Sequence, residues 1–338
     1  MGSSIDQKIV LVTRPTTFQD VVARHATASQ AEFLMVRAKQ SAPRASKAAS
    51  IAEQARQDQA LAELARDAFQ QLEEEDQTYD AMKAQLRNQL ADFAPVHVLD
   101  RKYLPSYVFG PQDVVVTLGQ DGLVANTAKY ALGRPIVAVN PDPRRIDGIL
   151  LPFTVDETPL VVRRALRGEA PVRQVTLAEA LLNNGQRLLA FNDLFIGART
   201  HVSARYRLEF DGQSEQQSSS GVIVSTGAGS TGWLSSIFNM GAAIGRLAGA
   251  AGAVKPVKLA WEDARLLFVT REPFASKTSG VTVTSGVIEG ERELIVESSM
   301  SKEGVIFSDG VEADFLDFSS GSIARIRPST ERAMLVAR

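Results

Sequence analysis

The sequence predicts an α/β N-terminal domain with a parallel sheet, joined to a β-rich, antiparallel C-terminal domain. Three observations carry this expectation. A strand–turn–helix–strand succession between Val114 and Asn140 has the rhythm of a parallel layer with crossover helices. Strict two-residue alternation in Val202–Phe210 marks a half-solvated antiparallel strand. The 338 residues, 44% of them hydrophobic, are enough for two cores.

The elements follow in order. Lys8–Thr13 is apolar and β-branched and ends at Arg14-Pro15, which reads as a first strand. It is too short and lacks the flank of a signal peptide, and no window approaches the roughly 18 apolar residues of a membrane span. The expected setting is the cytoplasm, without membrane contact. Ser46–Phe93 holds no Gly or Pro and is rich in Ala, Gln, Glu and Leu, so it reads as a helical insertion in preference to a coiled coil. Leu61, Leu64, Ala65, Ala68, Phe69 and Leu72 give it one apolar face, and the acidic run Glu73–Asp76 predicts two helices or a bent one.

Val114–Leu118 and Pro135–Asn140 read as strands buried on both faces, with Leu123–Leu132 a helix between them. From about residue 185 the chain becomes mainly β. Strands are expected at Gly221–Thr226, Leu266–Thr270, Val281–Thr284, Leu294–Glu297, Val305–Ser308 and Ile323–Ile326. Only Leu234–Leu247 and the Gly/Ala-rich Gly249–Val254 interrupt them. The domains are set at 1–155, containing the insertion at 46–93, and 156–338, whose last residues can return to the first domain.

The formal charge of −2 offers no basic field for nucleic acid or an anionic membrane. The absence of cysteine excludes disulfides, thiol nucleophiles and cysteine zinc sites. His25, His97 and His201 lack a metal-binding or triad spacing, so no protein metal site is expected.

The candidate chemistry lies in two glycine-containing turns. Gly119-Gln120-Asp121-Gly122 follows a buried strand, where α/β sheets bind ligands and a helix N-terminus offers N–H groups to phosphate. Asp121 suits a base or a metal-bound carboxylate; the alternative is an ordinary turn with an N-capping Asp. Ser225–Trp233 fits neither a Rossmann fingerprint, for want of a following acid, nor a Walker loop, because Trp233 replaces Lys. It lacks the glycine that a hydrolase elbow needs, since Ala228 stands there. What remains is a loop of glycines and hydroxyls suited to ribose or phosphate, with an aromatic ring at its end; a plain β-to-helix connection is the alternative. Phe191-Asn192-Asp193 offers donors and acceptors for sugar hydroxyls. Asn140-Pro141-Asp142-Pro143-Arg144-Arg145 is a phosphate clamp or a solvated loop.

In this order, with Ile306–Gly310 as a late Asp-Gly strand turn, the motifs from Val114 onward resemble the NAD kinase (ATP-NAD kinase) family. The resemblance implies a two-domain fold with the active site between the domains and ATP γ-phosphate transfer to NAD with Mg²⁺. Asp121 would be the base for the adenosine ribose 2′-hydroxyl, and Gly119, Gln120 and Gly122 would hold the ATP phosphates. Asn192 and Asp193 would match the family's Asn-Glu pair. Thr226, Gly229, Ser230, Thr231 and Trp233 would wrap the adenosine, with Asn140 and Ser220 completing the substrate set. A homo-oligomer, dimer or tetramer, is also expected. Gln120 stands where the family has Gly, Leu123 replaces Thr, Asp193 replaces Glu, Ser220 replaces Asp and Trp233 replaces Tyr. Asp142-Pro143-Arg144 and Ser220-Gly221 resemble the mitochondrial-type branch. A lipid or sugar kinase sharing the glycine-Asp turn, or a non-catalytic NAD-binding regulator, are the rival readings.

Overall fold

The computed structural model describes residues 7–41, 51–249 and 255–338. The N-terminal tetrapeptide, the first residues of the expected insertion and most of the Gly249–Val254 stretch lie outside the described residues.

The first strand, β1 (Ile9–Thr13), alternates its side chains between two buried faces. It is followed by α1 (Thr17–His25), α2 (Ala28–Gln40) and a 41-residue helix, α3 (Ile51–Ala91). At 1.5 Å per residue α3 is roughly 60 Å long. Then come β2 (Val96–Asp100), β3 (Val114–Leu118), α4 (Asp121–Ala128), β4 (Pro135–Asn140), the short β5 (Phe153–Thr154) and α5 (Thr158–Leu166). Strands β2, β1, β3 and β4 pair in parallel, in that order. Val10, Val12 and Val115 pack with α4 on one face, and Ile9, Leu11, Val114 and Val116 pack with α3 and α5 on the other. A strand covered on both faces can be apolar throughout, which is why these runs show no alternation of polarity.

The acidic run Glu73–Asp76 does not divide α3 into two helices, the first of the two expected alternatives. Its carboxylates find partners off the helix: Glu75 pairs with Arg14 at 3.5 Å, Glu74 with Arg145 at 3.4 Å, and Asp76 accepts from Thr16 at 2.5 Å. One turn on, Tyr79 donates to Leu118 O and accepts from the Arg14 amide, riveting α3 to the ends of β1 and β3.

The remaining strands are β6 (Val172–Leu182), β7 (Arg187–Ala190), β8 (Asp193–Ala198), β9 (Ala204–Phe210), β10 (Gln213–Ser219) and β11 (Val222–Ser225). Helix α6 (Trp233–Leu247) intervenes before β12 (Leu266–Thr270), β13 (Ser285–Ile288), β14 (Leu294–Ser298), β15 (Gly304–Ser308), β16 (Val311–Asp317) and β17 (Ile323–Val336). An antiparallel sheet, β13-β12-β11-β8-β15-β16, packs on the antiparallel part of the larger sheet around Tyr206, Phe210, Phe268 and Phe318. The β region therefore starts at Val172, earlier than expected. Strand β6 escapes sequence reading because Ala178 and Ala180 are weak strand formers and both its faces are buried. The strand expected at Val281–Thr284 lies instead at Ser285–Ile288, where Gly286 makes room for the Phe268 and Phe210 rings.

The C-terminal strand joins the two halves. Its beginning pairs antiparallel with β14, while Met334 and Leu335 pair in parallel with Pro135 and Ile136 of β4. One continuous sheet thus carries both the glycine turn after β3 and the frame that holds the second sheet.

Candidate active site

Strand β3 delivers the chain to Gly119, whose amide donates to Val139 O at 3.3 Å, and α4 begins two residues later. Gln120 is the N-cap residue and makes no capping bond. Its φ of −102° is ordinary extended backbone, so a side chain stands here without strain. Asp121 is not the capping residue. Its carboxylate reaches across to the loop after β4 and accepts from the Ile149 amide at 3.1 Å and the Leu150 amide at 2.9 Å. That grip fixes the carboxylate at the positive end of α4.

The two glycines of the turn differ. A Cβ on Gly119 would press on the Leu123 side chain at 2.9 Å, whereas one on Gly122 would meet nothing within 4 Å. Gly119 is a packing glycine; Gly122 faces space that the protein itself leaves open.

That space is a cleft of about 580 Å³. On one side stand Asp121, Gly122, Ile149 and Leu150; on the other stand Asn192, Asp193, Ala228, Gly229, Thr231 and Gly232, with Trp261 as a further wall. The cleft therefore draws together the glycine turn, the Asn192–Asp193 pair and the second glycine loop, which are remote in sequence.

The second loop is held from within. Thr226 donates to Phe191 O at 2.5 Å and accepts the Gly229 amide at 3.2 Å. Ser230 donates to Gly227 O at 2.7 Å and accepts the Leu259 amide at 3.4 Å. Both hydroxyls are buried and engaged by the loop itself. Side chains at Gly227 and Gly229 would collide with the Ala260 and Asn192 carbonyls respectively. These glycines are thus required by protein packing, independently of any ligand.

Asp193 is 8% exposed, and its Oδ1 is buried without a hydrogen-bond partner. Burial pushes its carboxyl up to about 7, and repulsion from Asp309 adds to this against the pull of the Ser225 hydroxyl. That oxygen lies beneath Gly229, where an added Cβ would come within 2.7 Å of it.

Other expected residues lie elsewhere. Asn140 spends its side chain on its own loop, donating to Ile146 O at 2.8 Å and accepting the Asp142 amide at 3.0 Å. Gln120 lines a separate cleft with Arg14 and Arg145. Ser220 and Trp233 line a third, where Trp233 stacks on Phe195 with centroids 5.8 Å apart and Arg271 lies over its ring. The aromatic wall beside Asp121 is Trp261, braced by the Arg173 guanidinium 4.2 Å from its ring centroid. Sequence reading passes over Trp261, Ile149 and Leu150. The segment before Trp261 shows no periodicity, and the two loop residues contribute backbone amides, which leave no mark on residue type.

No protein-family model matches the chain. An NAD kinase of Saccharolobus solfataricus is 29% identical over 121 residues, covering 36% of this chain and 46% of the relative. One of Chlorobium phaeobacteroides is 28% identical over 162 residues, covering 46% and 52%. The chain thus spans about half the length of the curated relatives it matches. Among solved structures, yeast NADH kinase complexed with NADH superposes with a TM-score of 0.52 at 16% identity, over 77% of this chain and 80% of that one. An NAD kinase from Archaeoglobus fulgidus in complex with ATP gives 0.50 at 19% identity, over 74% and 87%. In aligned sequence over part of its length, and in fold over most of it, this chain is similar to NAD kinases.

Proposed function

We propose that the protein transfers the γ-phosphate of ATP to the 2′-hydroxyl of NAD, giving NADP. The observation that carries this is the placement of the Asp121 carboxylate at the start of α4, in one cleft with Asn192, Asp193 and the Gly229–Gly232 turn. Asp121 accepts the proton of the ribose hydroxyl as the oxygen attacks phosphorus. The amides at the start of α4 and the open face of Gly122 take the phosphate being transferred. Asn192 and Asp193 bind the dinucleotide, Thr231 and Gly229 border it, and Trp261 supplies an apolar wall for a ring. Thr226, Ser230 and Asn140 act beneath the surface, by shaping these walls. Phosphoryl transfer asks for positioning and charge neutralisation more than for covalent chemistry; the cleft supplies the positioning, and the Mg²⁺ carried by ATP would supply most of the neutralisation.

Among the described residues no group of three or more His, Asp or Glu could hold a metal ion. Mg²⁺ is assigned to the phosphates of ATP, as the MgATP complex. The chain divides for this purpose into residues 1–155, which carry the base and the phosphate turn, and 156–338, which carry the dinucleotide wall. We also assign the protein to the cytoplasm and to a homo-oligomer. Met240, Ile244 and Leu247 stay exposed on α6, an apolar face suited to a second copy.

The test is NADP formation by the wild type and by Asp121→Asn, which keeps one oxygen for the Ile149–Leu150 amides but removes the base. A general base is worth roughly 10²–10⁴-fold, so turnover should fall by that factor with little change in KM. Equal rates would sink the assignment. NAD binding by the wild type without turnover would favour a regulatory protein, and phosphorylation of a lipid or sugar in place of NAD would move the acceptor.

A further inference from the structure

The β15–β16 hairpin turns at Asp309-Gly310, both with positive φ (55° and 71°). A non-glycine residue held there is uncommon, and its side chain explains the constraint. The Asp309 carboxylate accepts three successive backbone amides: Phe191 at 3.0 Å, Asn192 at 2.6 Å and Asp193 at 3.3 Å. Its own amide donates back to Asp193 O at 3.0 Å. The residues so gripped are the pair whose side chains line the cleft. The same turn is tied to the glycine loop, since Thr226 donates to Phe191 O and its amide to Asn192 O. The grip therefore sets the whole far wall.

Three N–H donors converge on this one carboxyl, which holds it in place whatever its protonation. Burial is the largest influence and raises the carboxyl above its ordinary value, while the Lys129 ammonium and the three amides pull the other way. Lys129 is itself buried. It donates to Ser308 Oγ at 2.7 Å and pairs with Asp314 at 3.4 Å. It is also the C-cap residue of α4, the helix whose first residue is Asp121. The helix that presents the base at one end thus braces the substrate turn at the other.

We propose that Asp309 is a positioning residue for the dinucleotide wall, holding Asn192 and Asp193 at the cleft through their backbone amides, with Lys129 bracing its hairpin through Ser308 and Asp314. The part concerning the dinucleotide rests on the kinase reading above; the grip on the turn does not. A residue that merely stabilised the hairpin would lower melting temperature and yield, yet leave the folded fraction with a normal KM.

The experiment uses the full chain as wild type, Asp309→Asn and Lys129→Met. Amide hydrogen exchange is measured on peptides covering 188–196 and, as a control, 114–118. In both variants the 188–196 amides should lose tenfold or more in protection while those of 114–118 keep theirs. KM for NAD should rise about tenfold with KM for ATP within twofold. Wild-type exchange at 188–196 in a folded variant, or an unchanged KM for NAD, overturns the proposal. If Asp309→Asn does not fold, Lys129→Met decides on the same readouts. A wild type that neither binds NAD nor makes NADP sinks the kinase reading and the substrate part with it, and the exchange result still judges the grip.

Discussion

Replacing Asp193 by Asn should flatten the dependence of stability on pH. The folded carboxyl is raised from 3.8 to about 7, chiefly by burial. Between those values the native state binds more protons than the unfolded chain. This contribution to stability is therefore complete below about pH 4 and is lost as pH rises through the native value near 7. A carboxyl displaced that far stores roughly 4 kcal/mol in all, of which about 2–3 kcal/mol is lost between pH 5 and pH 8. Asn has nearly the same shape and does not ionise, so whatever its own packing costs is independent of pH. For a chain of this size about 2–3 kcal/mol is worth a few degrees in melting temperature. Thermal unfolding of both proteins at pH 5, 6, 7 and 8 reads the effect as a difference of differences: the variant should gain a few degrees on the wild type over that span. Parallel curves would show that Asp193 is not held as described, and the argument from its burial would fall.

Four other substitutions separate ligand space from packing. Gly122→Ala should leave melting temperature unchanged, because its Cβ meets nothing within 4 Å, while reducing kcat/KM tenfold or more by filling the cleft. Gly229→Ala should do the reverse first, costing about 1–3 kcal/mol by forcing the loop off the Asn192 carbonyl, visible as a lower melting temperature. Trp261→Ala should raise KM for NAD severalfold while Trp233→Ala leaves it within twofold, since only Trp261 lines the cleft that holds Asp121; equal effects would move the substrate towards the Trp233 cleft.

The parallel layer is the most legible part of the fold, and physics explains why. Val114–Leu118 and Pro135–Asn140 begin and end where the sequence predicts, because a strand buried on both faces is apolar along most of its length. Elements whose identity depends on tertiary partners are harder to read. Glu73–Asp76 resembles a break in sequence because its counter-charges, Arg14 and Arg145, come from other segments. At the site, Asp121, Asn192, Asp193, Gly229 and Thr231 line one cleft, and each is marked in the sequence by side-chain chemistry or by glycine. Trp233 is the natural aromatic candidate by adjacency to the loop, yet the helix it starts turns its ring onto Phe195, and Trp261, far along the chain, fills the place.

The glycine turn, a single feature in the sequence, divides its labour between two surfaces. Asp121 and Gly122 face the cleft shared with Asn192 and Asp193, while Gln120 faces Arg14 and Arg145 on the side closed by α3. Gln120, which stands where the NAD kinase resemblance expects glycine, lies where the backbone needs no glycine and lines a cleft separate from the one that holds Asp121. The absence of glycine here is compatible with retained chemistry at Asp121. What it alters is the neighbouring cleft, whose two guanidinium groups are already matched by Glu74, Glu75 and Asp142. A phosphate entering there would have to compete with those carboxylates, whereas one approaching the face of Gly122 meets the start of α4 with no side-chain cap in the way. On the proposed reading, the charge pattern around the turn therefore favours a phosphate on the Gly122 side, towards Asp121, with the long helix closing the other.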